Sequence, residues 1–114
     1  IYIEDVVDLE AMELHLSYPP SNISANTISP GSISSSSIFI DAINSADGTI
    51  ELISTAENFT GYTGSGTLAK ISLTAGSIAG LDTLHIKDTS ILRNSGNIPI
   101  DILNSMYGLI EVVE

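Results

Sequence analysis

Cysteine is absent from this 114-residue chain. Neither a disulfide framework nor a thiolate metal site can therefore form. Tryptophan is absent too, and the aromatic share is only 5%. The rings of Tyr2, Tyr18, Phe39, Phe59, Tyr62 and Tyr107 are scattered, which argues against a row of platforms for stacking on sugars. Cations are scarce: Lys70, Lys87 and Arg93 stand against 14 acidic residues, for a formal charge of −11. Phosphate contacts need a basic footprint, so nucleic acid is excluded as a partner and anionic membrane surfaces are disfavoured. No apolar run approaches the roughly 20 residues that span a bilayer, which leaves no segment for membrane insertion. No stretch sustains the 3.6-residue period of an amphipathic helix.

Chemistry-bearing motifs are missing in the same way. His15 and His85 each alternate with apolar residues and lack His-x-x-x-His spacing, so they read as surface histidines rather than metal ligands. Asn44, Asp47 and Glu51 fit a hairpin better than a calcium loop. The glycines of 61–66 precede a strand and lack the Lys-Ser/Thr of a phosphate cradle. No Gly-x-Ser-x-Gly elbow is present. The expectation is a chain with no metal, no cofactor and no enzymatic activity. Asn22-Ile23-Ser24 and Asn58-Phe59-Thr60 are glycosylation sequons, a weak pointer to a surface protein.

What is present is β-branched and periodic. Apolar residues make up 43% of the chain. Met12, Leu14, Leu16 and Tyr18 alternate with Glu13, His15 and Ser17, so one side of this strand is dry and the other wet. Pro19 ends it, having no N–H to give to a ladder. Ile1 and Ile3 suggest a short strand before it, with Glu4–Asp8 as a loop or bend. Ile23 and Ile28 anchor a polar stretch that leads to the Pro30-Gly31 turn. Ile38, Ile40 and Ala42 read as the inner side of a strand, with Phe39, Asp41 and Ile43 outward. Asp47-Gly48 predicts a hairpin, after which Ile50 and Leu52 return inward with Glu51 and Ile53 outward. A glycine-rich loop at 61–66 precedes a strand with Ala69, Ile71 and Leu73 inward. Leu84 and Ile86, then Ile91-Leu92, then Ile98, Ile100 and Ile102, and finally Tyr107–Val113 complete the pattern. Short strands at spacings of roughly 8–12 residues indicate a single β-sandwich or barrel. Its expected core is Met12, Leu14, Leu16, Ile40, Ile50, Leu52, Ile71, Leu73, Ile86, Ile100 and Ile110.

The order of these pieces resembles the cohesin family. The resemblance lies in the strand ending Leu16-Ser17-Tyr18-Pro19-Pro20, the Pro30-Gly31 turn and the hairpin at Asp47-Gly48. Gly64-Ser65-Gly66-Thr67-Leu68-Ala69-Lys70-Ile71-Ser72-Leu73 is similar to the family's Gly-x-Leu/Phe-Ala-x-Ile-x-Phe strand. Ile98-Pro99-Ile100 and Gly108-Leu109-Ile110-Glu111-Val112 are similar to its closing strands. The resemblance implies an all-β jelly-roll sandwich of about eight to nine strands in two sheets. It implies one module over 1–114, with the family's first strand lying before Ile1 in a longer parent protein. The implied function is non-catalytic docking of a dockerin-type module whose calcium belongs to the dockerin. The implied location is extracellular or at the cell surface of a prokaryote.

Such a module binds through one sheet face, here carried by Leu9–Tyr18 and the Ile38–Thr55 hairpin. The resemblance places Ala11 and Glu13 on that face. The period-two phase adds His15, Phe39, Asp41, Glu51 and Ile53, with Phe39 and Ile53 as the apolar centre. Two other readings stay open: a carbohydrate-binding module, with polysaccharide as a ligand of the parent protein, and a structural spacer without a specific partner.

Overall fold

The computed structural model describes residues 1–33, 37–56, 61–103, 105 and 108–112. Its strands are β1 (Tyr2–Ser17), β2 (Ile23–Pro30), β3 (Ser37–Asn44), β4 (Thr49–Ala56), β5 (Tyr62–Thr67), β6 (Ala69–Ala75), β7 (Gly80–Ile86), β8 (Ile91–Asn94), β9 (Pro99–Ile100) and β10 (Gly108–Val112). The described residues contain no helix.

β1 organises the molecule. Over its N-terminal half it pairs with β5; further along, β4 lies on one side and β8, then β7, on the other. The large sheet runs β10-β7-β1-β4-β3, with β5 and β8 also on β1 and β9 on β8. The second sheet is the antiparallel pair β2-β6. The core between them is built from Val6, Leu9, Met12, Leu14, Leu16, Tyr18, Ile50 and Leu52 of the large sheet, closed by Ile23, Leu68 and Ala69. Ile28, Ile71, Leu73, Ile86 and Ile100 pack against it, half-buried. The fold is a jelly-roll β-sandwich.

The expected bend at Glu4–Asp8 does not interrupt the strand. Asp5 and Asp8 instead adopt φ of 53° and 57°, and the β1–β5 register shifts on both sides of Val6. Asp tolerates this left-handed conformation better than most residues. The displaced N–H groups of Asp5 and Asp8 donate to Ser65 Oγ (2.9 Å) and Thr63 Oγ1 (3.0 Å). The Asp8 carboxylate accepts from the Ser95 hydroxyl (2.7 Å) and N–H (3.2 Å). These irregularities let Val6, Leu9 and Met12 all reach the core at a spacing of three, which plain period two forbids. β5, expected as a glycine-rich loop, is a strand because its hydroxyls and backbone serve this bulged partner. β2, also not expected, forms because β6 offers it a ladder from Ile23↔Ala75 to Pro30↔Ala69.

The hairpin at Asp47-Gly48 is present. Asn44 Oδ1 accepts from the Asp47 N–H and Gly48 N–H donates to Asn44 O, with Gly48 at φ 69°. Asn44 pairs with Thr49, so Ile43 pairs with Ile50 and Phe39 with Ser54. Paired residues share a face. Phe39 and Ile43 therefore lie inward against the core, and Ile38, Ile40 and Ala42 are exposed. This reverses the phase expected for β3, including the expectation that Ile40 is core and Phe39 outward. Asp41 pairs with Leu52 on the core side and stays exposed because β3 is the last strand of its sheet. Ile98 and Ile102, expected in phase with Ile100, are exposed, since β9 is only Pro99–Ile100 and imposes no alternation beyond it. The Ile110 side chain, Tyr107 and the Asn58 sequon lie outside the described residues. Asn22 is buried. Its amide donates to Ile78 O (2.8 Å) and Asp82 Oδ2 (2.9 Å) and accepts from Ile78 N–H (3.0 Å), which leaves no room for a glycan.

Candidate docking face

The registers of β3, β4, β1 and β8 order the outer side chains of the large sheet into rows. One row reads Ile40–Ile53–Glu13–Ile91. On one side of it lies Ile38–Thr55–Ala11–Arg93. On the other lies Ala42–Glu51–His15, followed by Asn44–Thr49–Ser17–His85. Ile40 is 59% exposed, Ile38 54% and Ile53 46%, a contiguous apolar group on the outer face of the sheet. Surface isoleucines scattered singly need no explanation; these three are adjacent and form one exposed apolar patch.

Polar groups border this patch on one flank. Glu13 accepts from His15 Nε2 at 3.0 Å, a contact between residues two apart on β1. Glu51 lies directly across from His15. No described residue gives the Glu51 carboxylate a hydrogen bond. Arg93 NH1 turns away to donate to Asn97 O (3.2 Å).

The backbone beneath is rigidly held where β1 changes neighbour from β8 to β7. His15 N–H donates to Ser90 Oγ (2.9 Å), and His15 O accepts from Lys87 N–H (2.7 Å) and Ser90 Oγ (3.3 Å). Ser90 is buried there, so the hydroxyl stands in for the missing ladder partner. A cleft of about 650 Å³ opens beside this junction, lined in part by Ser17, His85, Lys87, Asp88, Ile91 and Asp101. Its described lining holds no Phe, Tyr or Trp.

Of the residues expected on this face, Ala11, Glu13, His15, Glu51 and Ile53 share it. Phe39 and Asp41 do not: both lie on the core side of β3. Their place is taken by Ile38 and Ile40, with Ile91 added from β8. Among the described residues no group of three or more His, Asp or Glu is placed to hold a metal ion.

The fold is an antiparallel sandwich with one exposed, apolar-centred sheet face. The sequence model of the cohesin domain matches residues 1–104, and the chain belongs to the cohesin family. Solved structures share the fold. A non-cellulosomal cohesin from the archaeon Archaeoglobus fulgidus superposes with a TM-score of 0.85 at 18% identity, covering 99% of this chain and 77% of that one. The third cohesin of ScaC from Acetivibrio cellulolyticus, solved in complex with the ScaB dockerin, gives 0.81 at 18% identity over 94% and 80%. A type I cohesin–dockerin complex from Clostridium thermocellum gives 0.71 at 17% identity over 82% and 67%. Among curated proteins, none matches this chain in sequence.

Proposed function

We propose that this chain is a non-catalytic docking module that takes a dockerin-type partner on the outer face of β8-β1-β4-β3. The observation that carries the reading is the exposed isoleucine patch of Ile38, Ile40 and Ile53, bordered by Glu13 and Glu51, in a member of the cohesin family. Related structures were solved with dockerins bound. An apolar centre with a polar margin is the usual anatomy of a protein interface. The contact residues are Ala11, Glu13, His15, Glu51 and Ile53, with Ile38, Ile40 and Ile91. Any calcium required belongs to the partner's loops. The module serves a longer extracellular or surface-anchored protein.

Isothermal titration against a panel of calcium-loaded dockerins tests the reading. Saturable binding by at least one member, lost in Ile40→Asp with folding intact, is the expected result. Binding that survives Ile40→Asp and Ile53→Asp alike moves the interface off this face.

A further inference from the structure

The sheet has a seam beneath the docking face. The β1–β8 ladder ends at Glu13↔Ile91 and the β1–β7 ladder begins at Leu16↔Ile86, so Leu14 and His15 have no ladder partner on that side. The turn at 87–90 fills the gap. Ser90 N–H closes it by donating to Lys87 O (3.1 Å), and Lys87 N–H donates to His15 O (2.7 Å). The Ser90 hydroxyl completes the join: it accepts from His15 N–H (2.9 Å) and donates to His15 O (3.3 Å). One buried side chain thus holds both backbone polar groups of a single residue.

That residue stands on the outer face. Its imidazole Nε2 lies 3.0 Å from Glu13 Oε1, and its side chain is 25% exposed. Holding the N–H and the C=O of a residue fixes its φ and ψ, and with them the direction of its Cβ. Without the hydroxyl, the His15 N–H loses its partner at a part-buried seam, beside a cleft of about 650 Å³. An unpaired amide draws in water, and a strand freed from its neighbour can bulge and turn a side chain out of its row. We propose that Ser90 is a positioning residue for docking. From behind the sheet it clasps the His15 backbone and so holds the imidazole in the row that a partner meets. This rests on the docking reading above and adds to it a residue that sets affinity without lying on the outer face.

A double-mutant cycle tests it, with titration of the calcium-loaded dockerin that binds the wild-type module and a thermal melt of every variant. Ser90→Ala should weaken binding about fivefold or more in a folded module. Ser90→Thr, which keeps the hydroxyl, should restore most of that affinity. His15→Ala removes the imidazole and leaves the backbone bonds to Ser90 in place. In that background Ser90→Ala should no longer change affinity, yet should lower the melting temperature as much as it does in wild type. A merely structural serine gives the other pattern, with the same fold-loss of affinity in both backgrounds, and this overturns the inference. Unchanged affinity in Ser90→Ala, or in His15→Ala, also overturns it and leaves docking standing. Where the alanine variant does not fold, Ser90→Cys repeats the cycle, since it keeps the volume with only a weak donor and acceptor. A wild-type module that binds no dockerin removes the docking reading itself, and this inference with it.

Discussion

Leu16, Ile50 and Leu52 have no solvent-accessible surface, and they sit where the long strand crosses its hairpin neighbour. Truncating one leaves a cavity that a sheet with fixed registers cannot close. Leu52→Ala should cost about 2–5 kcal/mol in urea unfolding. Tyr18 is different. The residue is 4% exposed and its hydroxyl is buried with no hydrogen-bond partner among the described residues. Tyr18→Phe removes no hydrogen bond, so the melting temperature should hold or rise. A loss above about 1 kcal/mol would reveal a partner for that oxygen. Phe39 and Ile40, adjacent in sequence, should separate stability from binding. Phe39→Ala should lower stability, because the ring packs on the core, and change dockerin affinity little. Ile40→Ala should do the reverse, the residue being 59% exposed on the proposed docking face. Paired melts and titrations of the two variants check this.

At the scale of elements, two devices set how strands meet. Gly48 closes the β3–β4 hairpin at φ 69°, and a Cβ there would lie 2.2 Å from Tyr18 O. The Tyr18 N–H also donates to Gly48 O at 2.8 Å, so the turn is pinned to the end of β1. Gly48→Ala meets both a steric and a conformational penalty, and should destabilise by more than about 1 kcal/mol in thermal denaturation. The second device is the bulged start of β1. Asp8→Ala loses the carboxylate that holds Ser95 and keeps the φ of 57°. Asp8→Gly loses the same contacts but takes that φ freely. Glycine should therefore be the milder substitution, the opposite of the order expected within a regular strand. Asp41 suits its place on β3, since a charge on the core-side phase of an edge strand discourages edge-to-edge pairing.

For the whole molecule the dominant quantity is its charge of −11. Self-repulsion opposes the compact state and is screened by salt. The melting temperature should therefore climb between roughly 0.01 and 0.15 M ionic strength, as the Debye length falls from about 30 to about 8 Å. A flat profile would mean that the carboxylates are spaced widely enough not to interact. The same field favours encounter with a basic partner surface. Association with a dockerin whose surface is basic should accordingly slow with added salt, measured by stopped flow, while the apolar contacts keep dissociation nearly constant.

Composition and period two carried the fold class, the dry phase of Met12 to Tyr18, the hairpin and the wet phase of Glu13, His15, Glu51 and Ile53. These are local properties: each alternating segment shows its own two faces. The β3 phase was not legible strand by strand, because Ile38 and Ile40 are as apolar as Phe39 and Ile43. It follows only from pairing. The loop that joins Asn44 to Thr49 puts Ile43 on the same face as Ile50, so an inward Ile50 forces an inward Ile43 and an outward Ile40. The merged strand β1 was hidden for a related reason. Asp5 and Asp8 look like a break in one dimension, and the hydroxyls of Ser65 and Thr63 that repair it come from some 55–60 residues away. Alternation belongs to the chain; which apolar side is buried, and which acid stays open at the surface, belongs to registers between strands distant in sequence.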